Sequence, residues 1–134
     1  MIDHHEALIY TMVLISAADQ NMTDTELQTI GDLVNHLPVF GDFDRGRLVG
    51  VAENCATVLG DEDGLNKAIE LIKSNLPAKL RETAYALACE VAAAGGQVSQ
   101  EELRLLEMFR HSLEVDRLTA AAIERGVRAR YMVL

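Results

Sequence analysis

The chain has 134 residues and a formal net charge of −9. This length suits one domain with a sizeable core. The acidic balance argues against nucleic acid as a partner and against electrostatic attachment to an anionic membrane, since both need a basic patch. Apolar residues make up 49% of the sequence and aromatic residues only 4%, so we expect a core of Ala, Leu, Val and Ile.

The spacing of apolar residues predicts an all-α protein of about seven helices. The first covers Ile2 to Ala18 and is apolar nearly all round, which is typical of a buried central helix. Its apolar run, Ala7 to Ala18, is shorter than the roughly 20 residues that a membrane span requires, so we expect no membrane insertion. His4 and His5 are expected at an exposed helix start.

The second and third helices are bounded by proline and glycine. The second runs from about Asp24 to His36 and stops before Pro38. The third is predicted over Phe43 to Leu59, with Asp42 as its N-cap and Gly60 as its C-cap.

The fourth helix is expected to open with the acidic stretch Asp61–Asp63 and to end at Asn75–Pro77. The fifth, Ala78–Ala94, is rich in alanine, and small side chains let helix backbones approach closely. We therefore expect the first and fifth helices to lie together at the centre. Glu90 interrupts the apolar run of the fifth helix and is expected to reach a polar edge, the alternative being that it faces a site between the turns.

The last two helices are predicted over Gln100–His111 and Asp116–Tyr131. The seventh carries Arg125, Arg128 and Arg130 near its end, where cations suit the helix dipole. These arginines form a local basic patch, for which we expect a solvated helix end, with docking of an acidic partner as the alternative.

The two cysteines, Cys55 and Cys89, fall within apolar helical patterns and are expected to be reduced core thiols. The N-terminal stretch MIDHHEA is acidic and polar, unlike a signal peptide. Both features predict a cytoplasmic protein.

An internal repeat relates residues 4–37 to residues 80–113. The stretch Ala17–Leu27, AADQNMTDTEL, aligns with Ala93–Leu103, which ends in SQEEL. Each copy contains a capping box, Thr23-x-x-Glu26 in the first and Ser99-x-x-Glu102 in the second. We therefore predict a bundle built from two pseudo-symmetric helix-turn-helix halves within a single domain, residues 1–134.

The acidic turns are the candidate metal site. Asp19 and Asn21 offer oxygen ligands, but Asp24 and Ile30 occupy the positions where a calcium-binding EF-hand loop requires glycine and glutamate. If the two halves pack together, Glu26 would approach its repeat partner in the second turn. Converging carboxylates need a cation or acquire raised pKa values. The capping boxes alone are the competing explanation of these glutamates.

A helix that ends in Ala-x-x-Asp-Gly-x-hydrophobic-Ser/Thr-x-x-Glu, used twice, resembles the tellurite-resistance TerB family. The resemblance implies an all-α bundle of seven helices, a link to tellurite resistance and stress responses, and a divalent cation at Asp19, Glu26 and Glu102. Two departures stand out, because Gln20 replaces the usual glycine and Gly95 replaces the second turn aspartate. The second half of the site therefore lacks its turn carboxylate.

From the residues and the resemblance together, we expect a non-enzymatic cytoplasmic module that acts through an unidentified protein partner. Two other functions stay open. One is a hydrolase in which a carboxylate-bound metal activates water, with Glu6 or Glu82 as a further ligand. The other is a structural domain that self-associates, as a homodimer, through its apolar surface.

Overall fold

The computed structural model describes residues 2–18 and 23–134, and within those residues it contains seven α-helices and no strand. This confirms the predicted all-α fold, whereas the equivalence of its two halves stays a prediction. Short 3₁₀ turns lie at Pro38–Phe40, Arg45–Arg47 and Ala78–Leu80. The helices are α1 His4–Ala17, α2 Asp24–His36, α3 Leu48–Leu59, α4 Gly64–Asn75, α5 Arg81–Ala94, α6 Gln100–Ser112 and α7 Arg117–Arg130.

Helix α1 is the centre of the bundle. It is buried along nearly its whole length, and it packs against α3, α4 and α5. Buried alanines of α5, at positions 84, 88 and 92, recur at a spacing that places them on one helix face. The expectation that α1 and α5 lie against each other is therefore confirmed.

Side-chain caps define where several helices begin. The predicted capping boxes at Thr23 and Ser99 are both present at the starts of α2 and α6. A third box, which was not predicted, starts α1, where Asp3 accepts a hydrogen bond from the Glu6 backbone N–H at 2.9 Å. A cap of this kind contributes about 1 kcal/mol to helix stability.

The predicted start of the third helix was wrong. Helix α3 begins at Leu48, because Asp44 accepts a hydrogen bond from the Gly46 N–H and thereby caps a 3₁₀ turn ahead of the helix. Asp42 does not cap a helix. Its carboxylate lies 3.0 Å from Nε2 of His5.

His5 was also predicted wrongly, because its ring is buried rather than exposed at the helix start. Its Nε2 lies 3.0 Å from the Val39 carbonyl as well as from Asp42, and its ring packs near Phe40 and Phe43. The histidine thus fastens the start of α1 to the loop between α2 and α3.

Within the described ranges, none of the helices combines the length and the apolar character that crossing a bilayer demands.

Candidate functional site

The two glutamates of the predicted metal site lie in the first turns of α2 and α6. Glu26 and Glu102 are 4% and 3% exposed. Burial of this degree is uncommon for glutamate unless the carboxylate is paired. Asp19, the third predicted ligand, lies outside the described residues.

The capping boxes orient both glutamate side chains. Oε1 of Glu26 accepts from the Thr23 backbone N–H at 3.0 Å, and Oε1 of Glu102 accepts from the Ser99 backbone N–H at 2.9 Å. Each side chain therefore turns back towards the start of its own helix. These contacts confirm the local capping role that the sequence predicted for both residues.

The carboxyl group of Glu26 lies close enough to that of Glu102 to raise its pKa. Burial raises the pKa of Glu102, and the hydrogen bond and charge of Glu26 raise it further, whereas hydrogen bonds from Ser99 oppose the rise. We call Glu26 and Glu102 the carboxyl pair. Capping alone does not account for the carboxyl pair, because a capping glutamate needs neither to be buried nor to face another carboxylate.

Gly95, at the end of α5, lies beside the carboxyl pair. A Cβ atom on this residue would lie 3.6 Å from Cγ, Cδ and Oε2 of Glu26, which is ordinary van der Waals contact. The backbone of Gly95 is right-handed, with φ −75° and ψ −4°, so other residues fit there. The missing turn aspartate would thus have stood next to Glu26.

Neither of the further ligands considered for a hydrolase joins the carboxyl pair. Glu82 lies in the first turn of α5, and Gly95 follows the last turn, so about 20 Å of helix separates them. Glu6 belongs to the capping box of α1, and its Oε1 lies 3.6 Å from a guanidinium nitrogen of Arg47. In the part of the chain that the structure describes, no three His, Cys, Asp or Glu residues gather as a metal site would require.

Glu90 belongs to a separate cluster that links α5 to the end of α7. Its carboxylate is buried and accepts hydrogen bonds from the Arg130 guanidinium and from the Tyr131 hydroxyl, the latter at 2.8 Å. Burial and the Glu90 carboxylate raise the pKa of Tyr131. The interruption of an apolar run signalled Glu90, but its partners lie far along the chain and the sequence did not identify them.

The two thiols are free and buried, as expected. Burial raises the pKa of both Cys55 and Cys89 to about 12. Since the thiolate is the reactive form of cysteine, both are poor nucleophiles at neutral pH.

Glu102→Gln is expected to raise stability at pH 7, in chelator-treated protein, by on the order of 1 kcal/mol, because it removes a repulsion between neighbouring charges. Glutamine keeps the capping bond.

The ordinary pKa of glutamate is 4.5, and that of folded Glu102 is higher. Between those two values the folded state holds a proton that the unfolded chain has released, so this group's contribution to stability falls as pH rises from about 4.5 through the raised pKa.

Urea unfolding of wild type and variant at pH 5 and pH 7 measures both effects. Glu6→Gln is the control, because it neutralises a capping glutamate whose carboxylate lies 3.6 Å from the Arg47 guanidinium and outside the carboxyl pair. Equal pH dependence of wild type and Glu102→Gln would show that the pair does not repel.

Comparison with known proteins supports the interpretation of the fold. A family model described as tellurite resistance protein TerB matches residues 5–125. Searches of curated proteins and of solved structures find no match. The matched region includes α1 from its second residue, α2 to α6, the capping boxes at Thr23 and Ser99, and the carboxyl pair. The chain therefore belongs to the TerB family.

Proposed function

We propose that this TerB domain is a non-enzymatic, cytoplasmic module of a stress response, and that it works by binding a protein partner. We further propose that a divalent cation binds at the carboxyl pair and sets the conformation of the two turns. The observation that carries the proposal is the meeting of two buried carboxyl groups from separate helix starts.

The chemistry of the pair fits a hard cation. Carboxylate oxygens are the ligands that calcium and magnesium prefer, whereas zinc and nickel favour nitrogen or sulfur. A cation between Glu26 and Glu102 would offset their mutual repulsion and the cost of burying charge. Asp19, which precedes α2 in the sequence, is the third ligand in this proposal. The cation supplies charge and orientation rather than a reactive centre.

Two exposed leucines support a partner surface near the pair. Leu27 and Leu103 directly follow Glu26 and Glu102, and each is 49% exposed. The fully buried core of a protein interface is more apolar than the rest of the protein surface. Because each leucine shares its first helical turn with a member of the pair, a cation that positions the turns would also position the leucines.

The state of the thiols supports a role without covalent catalysis. Cys55 and Cys89 are buried and protonated at neutral pH, so neither is poised as a nucleophile. Their free state is also what a cytoplasmic protein would show.

A thermal-shift series on chelator-treated protein tests the cation. Calcium, magnesium or manganese is expected to raise the melting temperature by several degrees at saturation, since a ligand at 100 times its dissociation constant stabilises the folded state by about 2.7 kcal/mol. Asp19→Ala and Glu102→Gln should remove the shift, and Glu6→Gln should keep it. A shift that persists in Glu102→Gln would contradict a site at the pair, as would no shift with any cation.

Gly95→Asp provides the complementary gain of function. The Cβ of the new side chain would be in ordinary van der Waals contact with Glu26. The cation concentration at half-maximal shift should fall roughly tenfold, because ligand charge sets affinity in such sites. Gly95→Asn is the uncharged control. If both variants respond as wild type does, the cation binds elsewhere.

A further inference from the structure

A cavity of about 700 Å³ lies between α5, α6 and α7. Helices α6 and α7 both pack on α5 and barely touch each other, which leaves a channel between them. Ala92, Ala93 and Ala94 lie along its floor, and their short side chains leave it deep. Cavities of this volume are typical of sites for small molecules.

The walls of the cavity are largely apolar. Val98, Leu103 and Leu106 lie on the α6 side, and Val127 and Met132 lie on the α7 side. Leu103 and Met132 are both well exposed. An apolar ligand would cover this surface and gain the free energy of removing it from water.

One end of the cavity is polar and acidic. Tyr85 is buried there, and its hydroxyl donates a hydrogen bond of 2.5 Å to Oε2 of Glu124. The hydrogen bond fixes the Glu124 carboxylate against the cavity wall. Its other oxygen has no protein partner among the described residues, and the described chain places no cation in ion-pair contact with it.

The other charged groups of the lining are Glu107 and Arg128. Oε1 of Glu107 lies 3.4 Å from a guanidinium nitrogen of Arg110 and 3.0 Å from Nε2 of His111. Arg128 is exposed, and it borders both the cavity and an adjoining shallow groove next to Met132. Glu124 is exposed as well, but the described chain places no cation in ion-pair contact with it, and Arg128 also borders the adjoining groove.

We propose that this cavity binds a small amphipathic amine, whose apolar body lies along the alanine floor and whose protonated amino group donates to Glu124. Charge complementarity favours the amine, because an ammonium group beside Tyr85 would pair with the Glu124 carboxylate, which has no described cation in ion-pair contact. Such a charge-assisted bond is about twice as strong as a neutral one. The cavity lining does not include the carboxyl pair, and Leu103 is the lining residue that directly follows one of its members.

Octylamine, octanol and octanoate are matched probes, because they share an apolar chain and differ in the head group. Methyl chemical shifts of Val98, Leu103 and Val127 are expected to move with octylamine and to saturate at a concentration at least tenfold lower than with octanol. Octanoate should bind most weakly. Because the whole chain is acidic, saturation at these methyls separates the site from diffuse attraction of amines.

Two substitutions distinguish the head group from the cavity. Glu124→Gln should reduce octylamine affinity to that of octanol and leave octanol unchanged, and Glu101→Gln, an exposed carboxylate outside the lining, should change neither. Leu103→Ala should weaken octylamine and octanol alike. Circular dichroism of each variant confirms that it is folded.

Three outcomes would overturn the proposal. Equal affinity for octylamine and octanol would show an apolar site without amine recognition. Tightest binding of octanoate, lost in Arg128→Gln, would show an anion site at the rim. No saturable movement of the lining methyl groups with any probe would show that the cavity binds none of them.

Discussion

Phe109→Ala is expected to destabilise the protein by about 3 to 5 kcal/mol, the usual cost of truncating a buried phenylalanine. Phe109 is fully buried in α6, which packs against α1, α4 and α5. Aromatic residues make up only 4% of the chain, so the surrounding side chains are mostly small and branched and fill the resulting cavity poorly.

Urea unfolding followed by circular dichroism measures this loss. Leu103→Ala is the control on the same helix, and because Leu103 is half exposed its truncation should cost less than about 1 kcal/mol. A loss of similar size in both variants would show that α6 is not anchored through Phe109.

Gly64→Ala is expected to cost about 3 kcal/mol through overpacking against backbone atoms. A Cβ on Gly64 would lie 2.4 Å from the Val58 carbonyl oxygen and 2.5 Å from that of Leu59. Backbone atoms cannot move aside as a flexible side chain can, so the end of α3 and the start of α4 would have to separate.

Gly50→Ala is the matched control, since nothing lies within 4 Å of the Cβ position in that helical glycine. Alanine there should be neutral or stabilise the protein by about 0.5 to 1 kcal/mol, because it is the better helix former. Differential scanning calorimetry of the two variants compares them directly. Similar melting temperatures would contradict the close approach of α3 and α4.

Local signals predicted much of the fold. The Thr23 and Ser99 boxes located the starts of two helices because capping depends on residues three positions apart. The all-round apolar pattern of the first helix predicted its central place, and the alanines of the fifth predicted that these two helices pack together. The internal repeat suggested that Glu26 and Glu102 approach each other.

Features that depend on contacts distant in sequence could not be predicted in this way. His5 is polar and near the chain start, which favoured exposure, but its ring is buried by Phe40 and Phe43 from the next loop. Asp42 is a good cap residue by type, yet tertiary structure directs it to His5. Local propensity is a weak guide wherever such contacts compete with it.

The Glu90 cluster and the cavity beside α5 also depend on contacts that are distant in sequence. Glu90 was noticed in the sequence, but its ion pair with Arg130 needs the folded position of α7. The cavity between α5, α6 and α7 has no sequence motif, because its alanines, its leucines and Glu124 come from three helices. Only the packing of α6 and α7 on α5 brings them together.

The most direct test of the account is whether one cation contacts both carboxyl groups of the pair. Carboxyl ¹³C resonances of chelator-treated protein at pH 7 would be followed while the cation with the largest thermal shift is added. We expect the Glu26 and Glu102 resonances to shift together with one shared midpoint while Glu6 does not move. Unchanged Glu26 and Glu102 resonances at saturating cation would show that the carboxyl pair is not the cation site.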